Sequence, residues 1–226
     1  MSRMDFVLNF YIETKGFNID HILDLINKHK ISKGSYRIEY KDYKSEYKQS
    51  ITKLKKAYKK GDASYFEGII YLRKKSQLPG FPLNVSILEN KEYYNVHMRI
   101  SALSIDEVFK NPKYYREAPQ WLMDLFKDIV MNIYCIYAYA DFDECTNNKK
   151  MVSENNGTYR VVESTGYSFT PAIFNEINYF SKKILEQNNN REFILSKDLG
   201  KVIKLENGGI ITIDKNTHFK ELLKNE

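Results

Sequence analysis

The stretch KVIKLENGGIITID, residues 201–214, constrains the fold more than any other. Two apolar-rich runs flank Asn207-Gly208, a dipeptide that favours the positive φ angles of a two-residue turn, so these segments are predicted to pair as antiparallel strands. Further strands are readable elsewhere. In Asp5 to Thr14, Phe6, Leu8, Phe10 and Ile12 alternate against Val7 and Tyr11. Tyr36, Ile38 and Tyr40 alternate with Arg37, Glu39 and Lys41, the period of a half-exposed strand. Residues 65–72, 83–88, 93–100 and 134–142 also read as strands, with Glu89 to Glu92 turning a hairpin.

Helices are expected between some of these strands. Asn18 can cap one whose inner face holds Ile22, Leu23 and Ile26. Ser104 to Glu107 has capping-box spacing and predicts a short helix from Ile105. Pro119 can open a helix with Leu122, Leu125, Phe126, Ile129 and Ile133 inward. Thr170-Pro171 starts another through Gln187, with Ile173, Ile177, Phe180 and Ile184 on one face, and a last short helix holds Phe219, Leu222 and Leu223. The polar, asparagine-rich span from Glu144 to Asn156 is expected to be a loop. Strands in hairpins with helices interspersed predict an α+β fold, a mainly antiparallel sheet with helices packed on it. No linker rich in Pro, Gly or Ser divides the chain, so residues 1–226 are expected to form a single compact domain. Phe17 to Asp20 and Leu103 to Asp106 share a faint pattern, which leaves room for two similar α/β halves, 1–103 and 104–226.

Residues 40–62, YKDYKSEYKQSITKLKKAYKKGD, carry eight lysines against three acids, most of the excess positive charge of a chain that is +6 overall. Tyr43, Tyr47, Ile51, Leu54 and Tyr58 recur at helical spacing, so residues 43–60 are predicted to form one helix with these side chains inward. The lysines then cover its whole outer surface instead of one stripe, as a solvated face would. The alternative function for this helix is to hold the phosphates of a nucleic acid.

Composition narrows the classes. Aromatics are 14% of the 226 residues, too many for a disordered chain. No apolar run approaches the roughly 18 residues of a membrane span. The first residues read as a strand with no leader-type cleavage site, and two cysteines, Cys135 and Cys145, cannot build a disulfide framework, so a cytoplasmic protein with reduced thiols is expected. Phosphate-loop, dinucleotide and nucleophile-elbow motifs are absent, and the four histidines have no zinc-ligand spacing. No cofactor and no metal ligand set is therefore expected. The best enzyme candidate is the acidic group Asp141, Asp143 and Glu144 at the end of an apolar strand, where carboxylates can hold Mg²⁺ or move protons.

The tyrosines point to another class. Tyr93-Tyr94 and Tyr114-Tyr115 cannot easily both point inward, and Arg116 and Trp121 lie near the second pair. Tyr, Trp and Arg anchor protein interfaces because they bury much area with few rotamers. The passage Trp121 to Glu144, a helix followed by YCIYAYADFDE, resembles bacterial immunity proteins, which bind and neutralise a partner toxin in the producing cell. That resemblance covers about a tenth of the chain and implies a protein partner, with no residue roles carried over. The function expected is occlusion of a protein partner through Tyr93, Tyr94, Tyr114, Tyr115, Arg116 and Trp121, with Asp141, Asp143 and Glu144 as a charged edge that steers a basic partner.

Overall fold

The computed structural model describes residues 5–29, 36–70, 81–89, 93–100, 117–142, 151–153, 159–161 and 176–224. Its frame is a ten-stranded sheet in which every neighbour is antiparallel. The strands are β1 (Phe6–Glu13), β2 (Tyr36–Tyr40), β3 (Ser45–Gln49), β4 (Ala63–Ile70), β5 (Phe81–Glu89), β6 (Tyr93–Ile100), β7 (Cys135–Phe142), β10 (Ile177–Phe180), β11 (Leu199–Lys204) and β12 (Ile210–Asp214). Two short strands, β8 (Met151–Ser153) and β9 (Tyr159–Val161), pair separately. The sheet order is β11-β12-β10-β7-β1-β6-β5-β4-β2-β3, so β1 lies in the middle between β6 and β7, and one sheet runs through both halves of the sequence. The fold is α+β. Among the described residues no helix is long and apolar enough to cross a membrane.

The helices are α1 (Ile19–Lys28), α2 (Ile51–Lys59), α3 (Glu117–Asn132), α4 (Lys182–Leu185) and α5 (Asn190–Leu195). Asn18 caps α1 by accepting the Asp20 and His21 N–H groups. α1, α2, α3 and a 3-10 turn at Lys220–Leu223 share a core with one face of the sheet. One row of that face, read across the strands, is Ile38, Phe66, Val85, Met98, Leu8, Ala140, Ile177 and Ile213. All eight are buried, and Phe10 meets Phe126 of α3 with ring centroids 5.3 Å apart. On the opposite face α4 and α5 supply Ile184, Leu185 and Ile194 to a smaller cluster with Tyr137, Tyr139 and Phe180.

Several expectations need correction. The single helix over 43–60 is two elements. Tyr43 and Lys48 have φ of 63° and 55°, outside the helical region, and the chain there forms a turn and strand β3. Ser50 then caps α2 through the Lys53 N–H at 3.3 Å. The helix expected through Gln187 is also broken: Ile177–Phe180 is a strand buried on both sides, and Ser181 caps the four-residue α4 after it. Part of the loop expected over 144–156 is β8. The C-terminal hairpin is present with a different loop. Gly208 N–H bonds Leu205 O at 3.0 Å and Leu205 N–H bonds Gly209 O at 2.9 Å, so three residues turn the chain and only Gly208, at φ 81°, is left-handed. The segment following Phe219 is a 3-10 turn. The helix expected from Ile105 and the second member of the 17–20/103–106 echo lie outside the described residues.

Candidate interaction surface

The second face of the sheet carries one polar row, which reaches β12 and gives way to Val202 in β11. The row starts at the β3 edge with Ser45, Glu39, Tyr65, Ser86 and His97, and continues through Asn9, Tyr139, Asn178 and Thr212. All nine side chains are polar. Their burial rises along the row: Ser45 and Tyr65 are half-buried, while Asn178 and Thr212 have no exposed surface. Buried polar groups are hydrogen-bonded as a rule. His97 Nδ1 donates to Asn9 Oδ1 at 2.9 Å, and Tyr137 OH donates to Asn178 Oδ1 at 3.2 Å. The Thr212 hydroxyl has no partner among the described residues.

At the exposed end this face becomes a corner built by the β2-β3 turn. Asp42 Oδ1 accepts the Lys44 N–H at 3.3 Å, and the left-handed Tyr43 throws its ring outward, where it is 94% exposed. Tyr47 of β3 is 63% exposed and lies over the Arg37 guanidinium, whose carbon is 5.3 Å from the ring centroid. Arg37 in turn pairs with Glu39, which also accepts Ser45 Oγ–H at 2.6 Å. The Ser45 hydrogen bond comes first among the contacts that hold the Glu39 carboxyl below its ordinary value. Beneath the corner Tyr40 OH donates to Glu46 at 3.0 Å, and a cleft opens between the turn and Gly61-Asp62. The corner therefore presents two large aromatic side chains, one of them held in place by a charged neighbour.

The lysines around it fall into two sets. Lys59 pairs with Asp20 at 2.5 Å and Lys55 with Asp24 at 2.6 Å, a ladder that ties α2 antiparallel to α1. Lys53 pairs with Glu46, and Lys44 with Asp42 at 2.7 Å. These four serve the fold. Lys41, Lys48, Lys56 and Lys60 are exposed and make no ion pair among the described residues. The basic stretch is thus half structural.

Both outer strands are poor templates for another strand. β3 has five residues and a bulge against β2, and β11 has a bulge against β12 and carries Lys201 and Lys204. Short, bulged, lysine-bearing edges resist strand addition. Contact at the corner has to go through side chains.

Of the residues singled out by sequence, the structure describes Trp121, Tyr93, Tyr94 and Asp141. Trp121, expected at the surface, is buried at 6% exposure beneath α1, its Nε1–H donating to His29 O at 2.9 Å. Its place on the inner side of α3 follows from its spacing, one turn before the buried Leu125. Tyr93 and Tyr94 are both half-buried: Tyr93 packs edge-on to Tyr11 at 5.3 Å, and Tyr94 stacks on Phe17 at 3.6 Å. Asp141 is 4% exposed and accepts the Phe142 N–H at 2.8 Å, so it stands inside the protein and not on a charged edge. Tyr114, Tyr115, Arg116, Asp143 and Glu144 lie outside the described residues. Among the described residues no group of three His, Cys, Asp or Glu is placed to hold a metal ion. Cys135 is buried, and burial pushes its thiol well above the ordinary value, so it is not poised as a nucleophile.

Sequence reasoning missed Tyr43 and Tyr47, which it placed inside a helix. The signal that could have found them is Ser50, a cap residue at the point where the spacing of four gives way to three. Compared with known proteins, the chain matches no family model, no curated protein and no solved structure.

Proposed function

We propose that the protein works in the cytoplasm by binding and occluding a protein partner, as an inhibitor or immunity-type protein does. The observation that carries this reading is the pair of exposed tyrosines at the β2-β3 corner, 94% and 63% exposed, with Tyr47 preorganised over Arg37. Exposed tyrosine next to arginine is the composition of an interface centre, and a ring already fixed by its neighbour loses less freedom on binding. The exposed lysines Lys41 and Lys48 flank the rings, which fits a partner surface rich in carboxylates. Tyr114, Tyr115 and Arg116 belong to the same proposal as a second aromatic patch, with Asp143 and Glu144 as a steering edge.

The test is capture of the partner from the native host, followed by association and dissociation rates for variants. Tyr43→Ala with Tyr47→Ala is expected to speed dissociation tenfold or more, since interface-centre tyrosines contribute about 2 kcal/mol each. Tyr115→Ala is expected to do the same at the second patch, and Asp143→Asn to slow association in a salt-sensitive way. Unchanged kinetics in the double tyrosine variant removes the corner from the interface. Binding only to nucleic acid, with affinity falling steeply in salt and lost on changing Lys56 and Lys60 to Glu, replaces the reading with the phosphate-binding one.

A further inference from the structure

At the far side of the sheet from the β3 corner, the chain after β12 turns back over the sheet end, and one buried carboxylate holds it there. Glu176, which precedes β10, is 8% exposed. Its Oε2 accepts the Thr217 hydroxyl and the His218 N–H at 2.9 Å, and its Oε1 accepts His218 Nδ1–H at 2.5 Å. Three donors from two successive residues therefore converge on a single buried group. Below this knot Phe219 inserts edge-on against Phe6, centroids 5.0 Å apart, and stacks on Phe142. Leu222 is buried, and the Lys201 ammonium donates to Leu222 O and Lys224 O, closing the end of the 3-10 turn.

The knot has one component in free contact with water. The His218 side chain is 68% exposed, so its proton exchanges with solvent while its partner carboxylate stays buried. We propose that residues 217–224 are a latch on the end of the sheet, closed most firmly when His218 is protonated and loosened when that proton leaves. Glu176 faces the imidazole from the start of β10, Asp141 from β7, and Lys220 from within the latch itself. The Phe142 ring stands edge-on at 4.9 Å and carries no charge. The Glu176 hydrogen bond, with the charges of Glu176 and Asp141 behind it, outweighs burial and Lys220 and raises the His218 value above 6.5. The sign follows from linkage. A raised value in the folded state stabilises the closed latch fully below the ordinary histidine value, and that stability is lost as pH rises through the folded value. Opening uncovers the rings of Phe6 and Phe142 at the ends of the neighbouring strands β1 and β7.

The test is native-state hydrogen exchange of the whole protein between about pH 6 and about pH 9, corrected for the intrinsic pH dependence of exchange. Protection of the Leu222 amide, which bonds Phe219 O at 2.8 Å, is expected to fall by roughly threefold or more across that range, while the mid-strand Ile211 amide keeps its protection. In His218→Gln, which cannot take the proton, the Leu222 protection is expected to be flat. Direct titration of the imidazole in the wild-type protein supplies a readout that needs no variant. A His218 value at or below the ordinary one overturns the proposal. So does pH-independent Leu222 protection in the wild type, or an unchanged pH dependence in His218→Gln.

Discussion

The two faces of one sheet obey different rules. On the helix-covered face the row from Ile38 to Ile213 is apolar in every strand, and its burial against α1, α2 and α3 drives folding. On the other face the matching row from Ser45 to Thr212 is polar in the nine strands it crosses, including positions with no exposed surface, and only Val202 of β11 ends it with an apolar side chain. The difference lies inside single strands: in β1, Leu8 and Phe10 point to the core, and Asn9 between them points to His97 and Tyr139. A strand needs only one apolar face to be held in place, so the second is free to carry groups chosen for recognition or specificity. The polar row costs stability where it is buried, and it opens toward the corner where Tyr43 and Tyr47 stand.

The comparison breaks most visibly on the apolar side. Phe126→Ala removes the ring that meets Phe10 and is expected to cost about 3–5 kcal/mol, read as a lowered denaturant midpoint with an unchanged slope. A cost below about 1 kcal/mol would mean that α3 is not what covers this face. On the polar side the sign reverses. Thr212→Val keeps the shape and deletes a buried hydroxyl that has no partner among the described residues, so it is expected to stabilise the protein by about 1 kcal/mol. Destabilisation there would show that the hydroxyl is satisfied, for instance by bound water. The smallest effect is expected at the ladder between α1 and α2. A double-mutant cycle on Asp24→Asn and Lys55→Gln should give a coupling below about 1 kcal/mol that shrinks in high salt, because Asp24 is exposed.

Much of this contrast was legible in the sequence, and each failure has its own physical cause. The alternation of β2 and the inner faces of α1 and α3 follow from periods of 2 or 3.6 in segments with one wet side, whereas β1 is legible as an apolar run of strand length and the C-terminal hairpin through Asn207-Gly208. β10 has no wet side. Ile177, Asn178, Tyr179 and Phe180 are all buried, so the strand shows no alternation, and the spacing Ile173, Ile177, Phe180, Ile184 imitates a helix. Tyr43, Tyr47 and Ile51 imitate one in the same way, which put two exposed tyrosines in the core on paper. The latch at Glu176 was invisible for a different reason: its members are 41 and 42 residues apart, and only the pairing of β10 with β12 brings them together. Trp121 was misjudged because composition says what a tryptophan can do at an interface, not whether it reaches one.

The central position of β1 has a consequence for how the protein comes into being. β1 is made before every other strand of this sheet, and the partners on both its sides arrive late: Asp5 contacts Arg99, 94 residues further on, and the other flank waits for β7. At about 5–20 residues per second of synthesis, the segment FVLNFYI spends roughly 5–20 s outside the ribosome with neither neighbour available. During that time it is an apolar, β-prone stretch in search of a mate, and the newborn chain depends on a chaperone or on temporary local contacts to keep it from finding the wrong one.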